Sequence, residues 1–95
     1  MASKNAPLNP RSTPQADLDF KYWQKSGNQK KLERINKLIV ASCENPTSGI
    51  GKPERLKYFE GEIYSRRIDS THRLLYRVEG GDLIILSARF HYGDK

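Results

Sequence analysis

The feature that most constrains the fold is a change in hydrophobic period across one irregular segment. Residues 45–53, NPTSGIGKP, combine proline, glycine and small polar residues and predict a loop. Before this loop, apolar residues recur at three- and four-residue steps, which is typical of amphipathic helices. After it, short runs of β-branched, aromatic and apolar residues predict strands. Helices followed only by strands favour an α+β fold, with two N-terminal helices packed on one face of a small antiparallel β-sheet.

The first helix is predicted from Pro14 to about Lys25. Thr13 precedes Pro14, and this pair is typical of a helix N-cap followed by the first helical position. Trp23 shares the main apolar face of this helix with residues 16 and 20, and we expect it to be a core residue. Leu18 and Tyr22 are expected to broaden that face.

The second helix is predicted to follow after a short break. Gly27 tolerates the left-handed geometry of a helix C-terminus, and Asn28 can cap a helix that continues to about Glu44. Lysine and arginine side chains occupy the polar face of this helix. They are interpreted as a solvated face, with contact to RNA phosphates as the alternative.

Strands are predicted over residues 56–59, 62–69, 71–79 and 82–90. Gly80 and Gly81 form a strong hairpin signal between the last two. A regular two-residue turn would set Arg73 opposite Ala88 and would leave His91 on the other face of the sheet. If Arg73 and His91 act together, the ladder needs a one-residue offset, such as a three-residue loop with a glycine bulge, and we predict that offset.

Chain length limits the domain organisation. The 95 residues leave room for one domain with one modest core. Residues 1–13 are polar, carry two of the five prolines, and predict a flexible leader or a tag-like segment. Residues 14–92 are predicted to form the single domain, and residues 93–95 a short C-terminal extension.

Composition limits the possible partners, the cofactors and the cellular compartment. The formal net charge of +6 favours nucleic acid, an acidic protein or an anionic membrane surface as a partner. A single cysteine, Cys43, excludes an internal disulfide, and the few Cys and His residues predict no metal site and no cofactor. No apolar run reaches the ~18–20 residues of a membrane span, and no secretory signal is evident, so we expect a soluble cytoplasmic protein.

Arginines are crowded onto the strands predicted between residues 65 and 78. Guanidinium groups present rigid forks of donors that match phosphate oxygens, so several on one sheet suggest a site for a polyanion. A solvated arginine face is the alternative. Glu54 lies in a basic loop between Lys52 and Arg55, whose positive field favours an ionised carboxylate able to accept a proton. The alternative for Glu54 is a surface residue that balances its basic neighbours.

Four motifs in this part of the chain resemble the YoeB/Txe toxins, which are relatives of the RelE group. The motifs are Gly51-Lys52-Pro53-Glu54-x-Leu56-Lys57, Ser65-Arg66-Arg67-Ile68, His72-Arg73-Leu74-x-Tyr76 and Arg89-x-His91-Tyr92. The resemblance spans about residues 14 to 92, in the order that the family has. It implies a ribosome-dependent mRNA endoribonuclease of a bacterial toxin–antitoxin pair, which inhibits translation. The family begins with a β-strand, whereas residues 8–12 make a poor strand, so this edge of the sheet is expected to be missing or replaced.

The resemblance also implies roles for individual residues. Glu54 would be the general base, Arg73 the phosphate clamp and His91 the general acid, with Tyr92 orienting the phosphate or the scissile nucleotide. The products would be a 2′,3′-cyclic phosphate and a 5′-hydroxyl, formed without a metal. His72 is expected to be structural. Further contacts to RNA or the ribosome are expected from six basic residues: Lys57 and Arg67 first, then Lys52, Arg55, Arg66 and Arg89.

The implied partners are mRNA in the ribosomal decoding site, ribosomal RNA and a YefM/Phd-type antitoxin. The resemblance also suggests a homodimer. Two other functions remain open at this point. One is a catalytically inactive module that binds RNA or the ribosome, and the other is a basic interaction domain that holds an acidic antitoxin segment.

Overall fold

The computed structural model describes residues 7–57 and 61–89 of the chain. The elements in chain order are β1 Asn9–Ser12, α1 Pro14–Ser26, α2 Gln29–Glu44, β2 Glu54–Arg55, β3 Ile63–Arg67, β4 Arg73–Glu79 and β5 Asp82–Ser87. The two helices pack on a five-stranded sheet with the strand order β1-β5-β4-β3-β2. The α+β fold predicted from the sequence is confirmed, but the sheet is mixed because β1 pairs parallel with β5.

The first strand corrects two expectations. Residues 9–12 form an edge strand of the sheet, although the sequence predicted a flexible leader or tag-like segment over residues 1–13 and an edge that is missing or replaced. All four side chains are exposed, so no apolar alternation marks the strand. It is held by its backbone: the Asn9 N–H donates to the Gly81 carbonyl at 2.9 Å, and the Thr13 N–H donates to the Ile85 carbonyl at 3.1 Å. Residues 1–6 and 93–95 lie outside the described residues.

Both helices begin and end where their caps predict. The side chains of Thr13 and Asn28 each accept a hydrogen bond at 3.2 Å from the backbone N–H three residues further along. Gly27 ends α1 with a φ of 73°, in the left-handed region that glycine adopts without strain. Leu18 and Tyr22 do not broaden the buried face, since Leu18 is 60% exposed and Tyr22 is 40% exposed. In the described parts of the chain, neither helix is long and apolar enough to cross a membrane.

The main core lies between the two helices and one face of the sheet. Trp23 is only 4% exposed and belongs to this core, as predicted. Its indole N–H donates to the Ala88 carbonyl at 2.8 Å, and the His72 ring packs edge-on against it with the centroids 4.9 Å apart. This contact gives His72 the structural role expected from the sequence. A smaller cluster of Leu56, Ile63 and Leu75 lies on the opposite face.

The β4–β5 hairpin contains the predicted offset, but in a different place. The pairs from Glu79 with Asp82 to Tyr76 with Ile85 follow a regular two-residue turn, and Leu75 then pairs with Ser87. The additional residue, Leu86, therefore lies within the ladder and not at the turn. If this offset register continued past Ser87, where β5 ends, Arg73 would lie opposite residue 89 instead of residue 88. His91 lies outside the described residues, so its pairing with Arg73 stays a prediction.

Asp69, between β3 and β4, gives the fold a pH-dependent ion pair. Its Oδ1 accepts the backbone N–H groups of Thr71 and His72 at 2.8 and 2.6 Å, and its Oδ2 lies 2.9 Å from Nζ of Lys31. Burial acts to raise the pKa of Asp69, but Lys31 and the two N–H groups outweigh it and hold the pKa below its usual value. The pair therefore stabilises the fold above the unfolded-state pKa, and this contribution is lost as the pH falls through the folded-state pKa.

We expect Asp69→Asn to lower the free energy of unfolding at neutral pH by about 0.5–1 kcal/mol, as is typical of a partly exposed pair. The amide cannot attract the Lys31 ammonium, although it still accepts hydrogen bonds. Urea denaturation should show the difference from wild type shrinking as the pH falls from neutrality through the lowered folded-state pKa of Asp69. Glu33→Gln removes an exposed carboxylate from α2 and serves as the control. A difference for Asp69→Asn that does not change with pH would contradict the proposed ion-pair contribution.

Candidate active site

Glu54 and Arg73 meet where β2, β3 and β4 lie side by side. Glu54 is opposite Ser65 in the β2–β3 ladder, and Arg67 is opposite Arg73 in the β3–β4 ladder. Nη1 of Arg73 lies 3.5 Å from Oε1 of Glu54 and donates to Oγ of Ser65 at 2.9 Å. The Arg73 side chain is 11% exposed, whereas that of Glu54 is 59% exposed. The sheet therefore fixes the guanidinium, and the carboxylate remains open to an approaching ligand.

A cleft of about 390 Å³ is formed around this pair. Its lining consists of Lys52, Pro53, Glu54, Arg67 and Arg73. Within the part of the chain that the structure describes, three cationic side chains therefore surround one carboxylate. Because guanidinium and ammonium groups donate hydrogen bonds to phosphate oxygens, a phosphodiester is the class of ligand that this lining favours.

The donor set of the cleft is suited to an anion and not to a metal ion. Divalent cations such as Mg²⁺ and Ca²⁺ prefer several oxygen ligands, and among the described residues of the lining Glu54 is the only carboxylate. Over residues 7–57 and 61–89, no group of three or more His, Cys, Asp or Glu side chains is placed to hold a metal ion.

The loop at residues 45–53 carries Lys52 to the cleft and leads directly into Glu54. It lies close to the sheet at Gly51, whose carbonyl accepts the Arg67 N–H at 2.7 Å. A Cβ atom at Gly51 would lie 2.7 Å from Cδ2 of Leu38, and its φ of 81° also favours glycine. Lys52 has a φ of 50°, which non-glycine residues seldom adopt. The local backbone therefore allows a close approach that a larger residue at position 51 would prevent.

The other residues predicted to contact RNA differ in their exposure and in their distance from the cleft. Arg55 and Lys57 are exposed and follow Glu54 in the chain. Arg66 is 0% exposed, which argues against the direct RNA contact expected for it. Arg89 is directed toward α1, where its guanidinium carbon lies 3.4 Å from the centroid of the Tyr22 ring. It is therefore not part of the cleft lining, unlike Lys52 and Arg67.

Two predicted catalytic residues, His91 and Tyr92, lie outside the described residues. Their roles remain predictions. The segment that leads to them is fastened at Ala88, whose N–H donates to Oδ2 of Asp19 at 2.9 Å. The indole of Trp23 binds the carbonyl of the same residue. Helix α1 thus fixes the chain at the residue that follows β5, three residues before His91.

Sequence reasoning missed two polar residues that support this arrangement. Ser65 is buried and accepts the hydrogen bond from Arg73. Asp19 is 3% exposed and accepts hydrogen bonds from Gln15 and from the backbone of Ala88. A signal for Asp19 was available, because it lies three residues after Ala16 and so falls on the buried side of α1. Nothing in the strand pattern distinguishes Ser65 from a solvent-exposed serine.

Comparison with known proteins gives consistent matches over most of the chain. Residues 12–92 match the model of the YoeB-like toxins of bacterial type II toxin–antitoxin systems. Toxin YoeB of Synechocystis sp. is 50% identical over 70 residues, which cover 74% of this chain and 81% of that protein.

Solved structures agree in fold as well as in sequence. The YoeB/ParE toxin from Agrobacterium tumefaciens superposes with a TM-score of 0.84 at 37% identity, covering 90% of this chain and 100% of that one. YoeB from Staphylococcus aureus has been solved as a dimer and in a YoeB–YefM complex, with TM-scores of 0.78 and 0.79. Both are 43% identical to this chain and cover 92% of it and 100% of their own length. The chain therefore belongs to the YoeB-like toxins of bacterial type II toxin–antitoxin systems.

Proposed function

We propose that this toxin is an endoribonuclease that cuts mRNA on the ribosome and thereby inhibits translation in the cytoplasm. The observation that carries the proposal is the open carboxylate of Glu54, 3.5 Å from the guanidinium of Arg73 in a cationic cleft. A carboxylate can accept a proton from a ribose hydroxyl, and the cations around it can stabilise a phosphorane. Membership of a toxin family supports an activity that arrests growth.

The reaction is a transfer of the phosphate from the 5′-oxygen of one nucleotide to the 2′-oxygen of its neighbour. Glu54 accepts the proton of the 2′-hydroxyl as its oxygen forms a bond to phosphorus. Arg73 stabilises the negative charge that develops on the phosphoryl oxygens, with Lys52 and Arg67 nearby. The bond from phosphorus to the 5′-oxygen then breaks, leaving a 2′,3′-cyclic phosphate on one fragment. No metal ion takes part in these steps.

The departing 5′-oxygen needs a proton to leave as a hydroxyl. His91 is proposed as its donor, because imidazole gains and loses a proton near neutral pH. Tyr92 is proposed to orient the phosphate or the scissile nucleotide. Both assignments follow from the match of Arg89-x-His91-Tyr92 to the family motif.

Ribosome dependence is inferred from the small number of cations that the described residues place in and beside the cleft. Affinity for RNA depends on how many phosphates a protein neutralises, and the cleft offers Lys52, Arg67 and Arg73, with Arg55 and Lys57 exposed nearby. Ribosomal RNA would therefore have to help orient the message. In this proposal the ribosome holds the scissile nucleotide in position while the toxin supplies the reacting groups.

We expect the purified protein to cut a translated message roughly 100-fold faster than the same transcript without ribosomes, because the ribosome supplies the orientation. Primer extension in a reconstituted translation system would measure both rates. The downstream fragment should carry a 5′-hydroxyl end, and the upstream fragment a 2′,3′-cyclic phosphate. Equal rates on naked and ribosome-bound RNA would instead indicate an independent nuclease, and magnesium-dependent cutting by the isolated protein would contradict the proposed chemistry.

An acidic antitoxin of the YefM type and a second copy of this chain are the proposed protein partners. The YoeB–YefM complex and the YoeB dimer of Staphylococcus aureus support them, as does the net charge of +6. Co-expression with any small acidic protein that is encoded beside this one should restore growth of cells that produce the toxin, if that protein is the antitoxin. Persistent growth arrest in the presence of that protein would exclude it as the antidote.

A further inference from the structure

The loop at residues 45–53 is fastened to the sheet by one buried arginine. Arg66 lies on β3 next to Arg67, but alternation along the strand sends the two side chains to opposite faces. The guanidinium of Arg66 enters the loop, where Nη1 donates to the Ile50 carbonyl at 2.9 Å. Nη2 donates to the carbonyls of Asn45 and Ser48.

Tyr76, on the neighbouring strand β4, completes this anchor. Its hydroxyl accepts a hydrogen bond from Nε of Arg66 at 2.9 Å and donates one to the Pro46 carbonyl at 2.6 Å. The Tyr76 ring is 0% exposed, and the guanidinium of Arg66 lies 5.9 Å from its centroid. Two side chains from adjacent strands therefore hold four carbonyl groups of a single loop, those of Asn45, Pro46, Ser48 and Ile50.

The charge of Arg66 makes this anchor difficult to open. A buried cation is costly unless hydrogen bonds compensate for its lost hydration. Among the described residues, no carboxylate forms a salt bridge with Arg66, and the loop carbonyls supply most of the compensation. Moving the loop away would remove those acceptors from the guanidinium. The arrangement therefore favours a single closed position of the loop.

The anchor is adjacent to the groups that line the cleft. Ile50 precedes Gly51, and the Gly51 carbonyl accepts the backbone N–H of Arg67 at 2.7 Å. Lys52 follows immediately, and Glu54 lies two residues further along. The bonds to Arg66 thus end within four residues of the proposed base. A displacement of this loop would be transmitted to Lys52 and Glu54 through very few rotatable bonds.

We propose that Arg66 is a positioning residue for RNA cleavage, acting through the loop to hold Lys52 and Glu54 against Arg73. This inference rests on the proposed function. Arg66 does not touch the RNA in this scheme, and its effect on the reaction comes from the placement of other side chains. A shift of about 1 Å in a catalytic group can lower a rate by about 100-fold, so a small loop movement is sufficient.

The test uses Tyr76→Phe and Arg66→Met, with Arg66→Lys as the conservative variant. Tyr76→Phe keeps the ring in the core but removes the hydroxyl that bridges Nε of Arg66 and the Pro46 carbonyl of the loop. We expect amide exchange in residues 45–53 to accelerate in both Tyr76→Phe and Arg66→Met, while the helices keep their protection. In the translation system, kcat should fall about 10-fold for Tyr76→Phe and about 100-fold for Arg66→Met, with little change in KM. Arg66→Lys should recover part of the loss, because an ammonium group can still bind some of the loop carbonyls.

Val78→Ala is the matched control. Val78 is half-buried against the same core on β4, and its truncation should weaken the whole fold without releasing the loop. Rates are compared per folded molecule, below the melting temperature of every variant. The positioning role would be overturned if amide exchange in residues 45–53 kept its wild-type rate in both Tyr76→Phe and Arg66→Met. It would also be overturned if these variants lost no more kcat than Val78→Ala. A wild-type protein that cuts no translated message would instead refute the proposed function, and the exchange data would still report whether Arg66 anchors the loop.

Discussion

Glu54→Gln is expected to lower the rate of mRNA cleavage on the ribosome by about 10²–10⁴-fold, the usual contribution of a general base. The amide has nearly the same shape as the carboxylate and can still accept a hydrogen bond from Arg73. It cannot take the proton of a ribose hydroxyl. Because the Glu54 side chain is 59% exposed, the substitution should leave the melting temperature close to that of wild type. Single-turnover cleavage of a ribosome-bound message would measure the change.

Glu62→Gln provides the control for this experiment. Glu62 is an exposed carboxylate just before β3, so its neutralisation changes the net charge equally without touching the cleft. Its cleavage rate should remain near that of wild type. Full growth arrest by Glu54→Gln would remove Glu54 from the mechanism and would favour a second protein or the ribosome as the source of the base.

Arg73 can be tested in the same assay. Arg73→Lys retains the charge but loses the planar fork that contacts both Glu54 and Ser65. Removal of one preorganised hydrogen-bond donor that stabilises a transition state typically lowers the rate about 10²–10³-fold. A similar loss in His91→Gln would support the general acid that the family motif implies. Unchanged activity in either variant would exclude that residue from the chemistry.

Trp23→Ala is expected to lower the free energy of unfolding by about 3–5 kcal/mol, the usual cost of truncating a buried tryptophan. Trp23 is 4% exposed, its indole N–H binds the Ala88 carbonyl, and its ring contacts His72. The truncation removes the packing of the Trp23 ring in the core and against His72, and it leaves the Ala88 carbonyl without this donor. For a domain of this size, the melting temperature should fall by roughly 4–8 °C for each kcal/mol. Thermal and urea unfolding, followed by circular dichroism, would measure the loss.

Leu18→Ala is the control on the same helix. Leu18 is 60% exposed, so its truncation should change the free energy of unfolding by less than about 0.5 kcal/mol. The loss of unfolding free energy in Trp23→Phe should lie between those of Trp23→Ala and Leu18→Ala, since Trp23→Phe keeps an aromatic ring but removes the hydrogen bond to Ala88. Equal stability losses in Trp23→Ala and Leu18→Ala would contradict the assignment of Trp23 to the core.

The helices could be predicted because their signals are local. Thr13, Gly27 and Asn28 act within one turn of the helix end that each defines, and the structure confirms all three. Strand β1 could not be predicted in this way. Its four side chains are exposed, and it is held by backbone pairing to β5, a segment about seventy residues away. Neither hydrophobic periodicity nor strand propensity therefore indicates a strand at these residues.

The candidate site was only partly accessible from the residues themselves. The resemblance to the toxin family indicated Glu54 and Arg73, and the structure places the two side chains in contact. The adjacent arginines at positions 66 and 67 look equivalent in the sequence. Their opposite environments depend on which face of β3 receives the loop, and that loop is fixed by tertiary hydrogen bonds and by the tight approach at Gly51.

The parallel pairing of β1 with β5 has a practical consequence for handling the protein. The chain enters the sheet beside Asp82, whereas Arg73 begins β4 at the opposite end of the ladder. The six residues of β5 between these ends span roughly 20 Å. An affinity tag or fluorophore fused ahead of Leu8 therefore starts far from the cleft. The end of β5 lies toward Arg73, so a label placed near Leu8 is a better choice for purification and imaging than one placed near Arg89.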